Sequence, residues 1–158
     1  MEQVTDDEPA PRPRLNPPPG WRFAQPWPCS TCPFRSDIVF YLYPARAADI
    51  ALALGTGSGF VCHKTAQQDD DGEWVTHLGD RQCAGALATL LADPTTDLTD
   101  PAQLAERLGL WDRAELAGAP VYPSLGAWLQ ALADLHNGVR TAADTPTPGG
   151  PPEPKETP

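Results

Sequence analysis

Four cysteines, Cys29, Cys32, Cys62 and Cys83, constrain this chain more than any other feature. Cys29 and Cys32 share one turn, Pro28-Cys29-Ser30-Thr31-Cys32-Pro33-Phe34-Arg35, while Cys62 sits in Phe60-Val61-Cys62-His63-Lys64 and Cys83 in Gln82-Cys83-Ala84-Gly85. A two-residue gap lets both thiolates of a turn face one ion, and two further cysteines complete the four ligands of a structural zinc site. Pro28 and Pro33 stiffen the chain on either side of that turn. The pattern predicts one shared metal site made by Cys29, Cys32, Cys62 and Cys83.

Three other readings of the cysteines are weaker. Buried free cysteines are common, but chance burial does not explain a knuckle set between prolines. Two disulfides need an oxidising compartment. Met1-Glu2-Gln3-Val4-Thr5-Asp6-Asp7-Glu8 is acidic where a secretory signal is basic and then apolar, and the longest apolar runs are too short for a membrane span. The chain therefore reads as cytoplasmic, where thiolate ligands are favoured over disulfides. A thioredoxin-like redox pair should follow an apolar strand and open a helix; here a proline-rich loop precedes Cys29 and Pro33 follows Cys32.

Zinc is the expected cofactor, because it suits tetrahedral all-thiolate sites. The alternative is an iron–sulfur cluster, held by one knuckle and two isolated cysteines and shielded by Trp27, Phe34 and Phe60. His63 on an extended strand would point away from Cys62, so it reads as a supporting or surface group, as do the charged neighbours Arg35 and Lys64. His77 and His136 read as hairpin and helix-end residues. Asp69-Asp70-Asp71-Gly72 lacks the alternate spacing of a calcium loop and reads as a solvated turn. Gly55-Thr56-Gly57-Ser58-Gly59 lacks the Gly-Lys-Ser/Thr end of a phosphate loop and reads as a flexible connector.

Proline marks the boundaries. Of 20 prolines, six lie in residues 1–20 and six in 141–158, and both stretches are too poor in aromatic and branched aliphatic residues to build a core. They read as disordered tails around a single metal-binding domain at 21–140, with the cysteine site at 27–92 and a helical part at 100–138. Within it, 37–43 reads as a short strand or packed loop. Pro44 opens a helix to Leu54 whose inward face is Ala47, Ile50, Ala51 and Leu54. Residues 59–63 and 73–78 read as a hairpin. Asp80 reads as the cap of a helix running to Ala92, which puts Cys83 at its third position and its thiolate at the positive end of the dipole. Asp100-Pro101-Ala102-Gln103 reads as a capped helix start. The last helix, 124–137, presents Leu125, Trp128, Leu129, Leu132 and Leu135 on one face. The expected fold class is α+β: a small cysteine-site unit with a short hairpin and helices, followed by a helical C-terminal part.

The net charge of −10 is unevenly spread. Residues 21–68 carry four basic and two acidic side chains, and residues 69–140 carry four basic and twelve acidic. Non-specific nucleic-acid binding needs a broad basic footprint, so it is not expected, and neither is a membrane partner.

Cys-x-x-Cys-Pro-aromatic-Arg at 29–35, Phe-x-Cys-His at 60–63 and Cys-Ala-Gly at 83–85 together resemble an uncharacterised family of small actinobacterial and phage proteins. The resemblance covers about 27–91 and implies that the four cysteines, with His63 as a further candidate, belong to one site. It brings no activity with it. The Ala- and Pro-rich composition fits such a source. A closed site of four thiolates leaves no open coordination position, so the expected function is that of a small binding or adaptor module with a structural metal and an unknown protein partner. The alternatives are an iron–sulfur electron-transfer or redox-sensing protein, and an enzyme using Cys62 or Cys83 as nucleophile with His63 or His77 as base.

Overall fold

The structure, a computed structural model, describes residues 15–138. In chain order the elements are helix α1 (Pro44–Gly55), strands β1 (Gln67–Gln68) and β2 (Trp74–Val75), helix α2 (Ala84–Ala92), helix α3 (Asp100–Arg107), a short 3-10 helix (Arg113–Leu116) and helix α4 (Leu125–His136). Helices with one small sheet give the α+β class. Of the tails expected at 1–20 and 141–158, residues 1–14 and all of 141–158 lie outside the described residues; residues 15–20 are described, and Leu15 donates its backbone N–H to Leu108 O at 3.4 Å. Among the described residues no helix is long and apolar enough to cross a membrane.

The sequence of α2, Ala-Gly-Ala-Leu-Ala-Thr-Leu-Leu-Ala, is apolar on every face, and such a helix is stable only when surrounded. Ala84 to Leu90 are all buried. Thr89, the one polar residue among them, donates its hydroxyl to Gly85 O at 2.9 Å, which satisfies it inside the helix. α1 starts with Pro44, whose missing N–H costs nothing in a first turn, and turns Ala47, Ile50 and Leu54 inward onto α4. α4 starts at Ser124, whose Oγ accepts from Ala127 N–H at 3.0 Å, and buries Trp128 and Leu132.

Several boundaries differ from the sequence reading. The paired strands are Gln67–Gln68 and Trp74–Val75, antiparallel, with Gln68 opposite Trp74. The segment 59–63 is not their partner, because the chain turns directly after Cys62: Thr65 and Ala66 both donate N–H to Cys62 O, at 2.9 and 3.0 Å. The acidic run is an Asx turn, with Asp69 Oδ1 accepting from Asp71 and Glu73 N–H. α2 starts at Ala84, so Cys83 is its N-cap rather than its third residue, and Asp80 is used elsewhere. α3 is preceded by Thr99, which makes Asp100 and Pro101 the first helical residues, and Gln103 donates to Leu98 O at 2.7 Å instead of closing a capping box. Residues 37–43 form a loop.

The glycine-rich connector is pinned. Gly57 has φ of +94°, open to glycine at little cost, and its carbonyl accepts from Asp100 N–H at 2.8 Å. A Cβ at Gly59 would stand 2.5 Å from Gln82 Oε1, the atom that accepts from Phe60 N–H.

Three short segments, 23–25, 60–62 and 81–83, run side by side with 81–83 in the middle. Gln82 N–H donates to Phe23 O at 2.8 Å, Gln25 N–H to Gln82 O at 3.0 Å, Cys62 N–H to Arg81 O at 2.7 Å and Cys83 N–H to Phe60 O at 2.8 Å. These bonds bring Cys62 and Cys83 together from positions 21 residues apart in the chain.

Candidate metal centre

The Cys29–Cys32 segment is built as a tight turn. Cys32 N–H donates to Cys29 O at 3.1 Å and Arg35 N–H to Cys32 O at 3.2 Å. Arg35 holds the turn from outside: its Nη1 lies 3.4 Å from both Pro28 O and Cys29 O, while Nε and Nη2 fork onto the Asp37 carboxylate at 2.8 and 2.7 Å. That pairing keeps the Asp37 carboxyl below its usual range and the guanidinium above its own.

The far side of the turn is gripped by the C-terminal part of the chain. Trp128 is fully buried, stacks on Phe34 with ring centroids 4.3 Å apart, and donates its indole N–H to Pro33 O at 2.9 Å. Ser36 N–H donates to Pro120 O, and Tyr122 N–H to Phe34 O. The helical part at 100–138 is therefore a wall of the cysteine region and not an appendage to it. Of the aromatics expected to shield the cysteines, Phe34 is buried and Phe60 half-buried, but Trp27 is exposed.

The four sulfurs fall into two close groupings, and among the described residues no group of three ligand atoms within 4.8 Å of one another takes members from both. Cys32 and Cys83, both buried, have their Sγ atoms 3.7 Å apart. Cys29 Sγ, Cys62 Sγ and a ring nitrogen of His63 all lie within 4.8 Å of one another. Cys62 is buried, Cys29 half-buried and His63 exposed, so this second grouping meets solvent through the imidazole. Thr31 Oγ1 lies 3.0 Å from His63 Nε2 and 4.0 Å from Cys29 Sγ, and Gln25 Nε2 donates to Cys62 Sγ at 3.7 Å.

His63 was expected to point away from Cys62. It does not, because Cys62 to Thr65 is a turn, where the alternation of a strand does not apply. Lys64 is exposed and makes no hydrogen bond or ion pair among the described residues; partial desolvation of the His63 ring, and after it the Lys64 charge, lower the His63 pKa. His77 is fixed as a hairpin residue: Gly79 N–H donates to its Nδ1 at 3.0 Å, leaving Nε2–H to face Thr65 O and Asp80 Oδ1, each at 2.8 Å. His136 sits at the end of α4, its Nδ1 2.8 Å from Tyr41 Oη.

The electrostatics favour one thiolate in the buried pair. The Cys83 thiol donates to Cys32 and lowers its pKa to about 7, aided by the backbone N–H groups of Phe34, Gly85 and Arg35 and opposed by burial. The same bond, followed by burial, raises Cys83 well above the ordinary thiol value. Burial, chiefly, also raises Cys62, and the charges of Cys29 and Cys32 add to it. Cys62 and Cys83 thus resist ionising beside a Cys32 that ionises more readily, and a cation bound there would relieve that opposition.

Gly85 is a site residue that spacing alone did not single out, although the Cys-Ala-Gly motif contains it. A Cβ there would overlap Cys32 Sγ and stand 3.1 Å from Phe34 Cβ. Glycine lets α2 approach the knuckle closely enough for Cys32 and Cys83 to meet. Gln82, the central residue of the three paired segments, was missed too; nothing in its local sequence marks it.

No known protein family, curated protein or solved structure matches this chain.

Proposed function

We propose that Cys29, Cys32, Cys62 and Cys83 hold one zinc ion, that the ion is structural, and that the protein acts as a binding module in the cytoplasm without chemistry of its own. The 3.7 Å separation of Cys32 and Cys83 carries this reading. A zinc–thiolate bond of about 2.3 Å in a tetrahedron gives a sulfur–sulfur edge of about 3.8 Å. Two thiolates on one iron of a [2Fe–2S] cluster share an edge of the same length, so metal content and not this distance separates zinc from such a cluster. A Cys/His enzyme gains no support from Cys62 or Cys83: both are buried, and their raised pKa values are the opposite of what an activated nucleophile needs.

The ligand question is tested by elemental analysis and an absorption spectrum on protein purified without oxygen, followed by substitution with cobalt(II). About one zinc per chain, and a cobalt spectrum of four thiolates, agree with the proposal. Iron with sulfide moves the function to electron transfer or redox sensing. Four freely titratable thiols with no metal refute the site.

A further inference from the structure

Trp74 is 67 % exposed and Val75 40 % exposed, on a strand of two residues. Large apolar side chains placed together in water usually mark a contact surface. Here they line, with Phe60 and Val61, a groove of about 270 Å³. His63 stands in the same lining, which puts the groove directly beside Cys29 and Cys62.

Two further charged groups line the groove. Asp80 Oδ2 accepts from the His77 backbone N–H at 3.1 Å, and its Oδ1 is buried 2.8 Å from His77 Nε2 with no hydrogen bond of its own. Arg46 makes no hydrogen bond or ion pair among the described residues, and the first turn of α1, where it sits, contains no acidic residue. The groove thus combines an aromatic lining with a free guanidinium, whose fork matches a carboxylate. Asp80 in the same lining disfavours a doubly charged group. The volume is at the lower limit for ligand sites, which suits one or two fused rings and not a folded partner.

We propose that this groove is a binding site for a small aromatic carboxylate, its ring against Trp74 and Phe60 and its carboxylate on Arg46. The inference does not depend on which metal the cysteines hold. The ring supplies apolar burial and an offset or edge contact with the indole. The carboxylate supplies orientation through a charge-assisted pair.

The test is a titration of the full chain, as purified, with 2-naphthoate, following the NMR signals of the Trp74 indole N–H and the His63 ring. Neutral 2-naphthylmethanol and acetate serve as the ring without the charge and the charge without the ring. Saturable shifts of both signals by naphthoate are expected, with little response to acetate and weaker binding of the alcohol. Arg46→Gln should weaken naphthoate binding about tenfold, as expected for loss of a hydrogen bond to a charged group, and Trp74→Ala should abolish it. Both positions are exposed, so circular dichroism should show the fold intact. Equal binding of the alcohol, an unaltered affinity in Arg46→Gln, or shifts that follow protein self-association in sedimentation would each overturn the proposal. Metal content measured on the same samples separates the two readings: failed binding with the metal retained sinks the groove alone, whereas missing metal bears on the cysteine centre.

Discussion

Replacing Gly85 by alanine puts a number on the close approach between α2 and the cysteine knuckle. In an unobstructed helix the change would stabilise the protein by about 1 kcal/mol, through the lower conformational entropy of alanine. At this position the new methyl group meets Cys32 Sγ and Phe34 Cβ. Neither neighbour can move aside cheaply. Cys32 is 1 % exposed and fastened by the backbone bonds of its turn, and Phe34 is stacked on Trp128. Overpacking of a rigid core costs about 1–3 kcal/mol, and overlap with the sulfur itself places this case at the upper end. Subtracting the helix gain leaves a net loss of about 2 kcal/mol. In a domain of this size the melting temperature should fall by about 8 °C. The displaced sulfur should also weaken metal binding. Gly126→Ala is the matched control: it too lies in the first turn of a helix, but the nearest atom to its new methyl is Ser124 Oγ at 3.8 Å, an ordinary contact. It should leave stability unchanged or raise it slightly. The assay is thermal unfolding by circular dichroism with metal content measured in parallel. A Gly85→Ala protein that melts at or above the parent, with its metal retained, would falsify the close approach and the reason given for the glycine.

The remaining predictions concern the same region. Trp128→Phe keeps the stack on Phe34 but leaves Pro33 O without its donor in the core, and should cost about 1–3 kcal/mol in denaturant unfolding; no loss would mean that water replaces the indole. Cys32→Ser and Cys83→Ser should each lose the metal and shift the emission of Trp128, the tryptophan in contact with the knuckle, whereas His63→Ala should retain about one zinc per chain. Loss of zinc from His63→Ala would instead make the imidazole a ligand. Asp37→Asn should cost less than about 1 kcal/mol near neutral pH, since the pair with Arg35 is largely solvated. Because Asp37 titrates lower in the folded protein than in the unfolded chain, its contribution is full above the ordinary carboxylate range and fades as pH falls through the folded value. Stability curves of the variant and the parent should therefore converge in acid; a gap that persists there would assign the effect to packing.

Much of the helical layout was legible because it depends on neighbours in the chain. Pro44 and the 47/50/54 stripe announce α1, and Ser124 with the apolar stripe behind it announces α4. The errors fell where a tertiary bond outbid a local signal. Asp80 has the right chemistry for a cap, but its carboxylate is taken by His77, and the backbone of Arg81 to Cys83 is held extended between two flanking segments, so α2 cannot start before Ala84. The 59–63 stretch has strand composition, yet the turn after Cys62 removes it from the hairpin and pairs it with 81–83 instead.

The candidate centre divides in the same way. The residue types were readable from the sequence alone: two thiols on a proline-bounded turn and two more farther along. Those are properties of composition and short spacing, which persist in the unfolded chain. Which sulfur meets which, the arrival of His63 beside Cys29 and Cys62, the closing of the site by Trp128 from 95 residues away, and the opening of a groove under Trp74 were decided only by the tertiary structure. Each joins segments distant in the chain, and the meeting of Cys32 with Cys83 depends besides on the buried helix α2 and on the glycine that lets it come close.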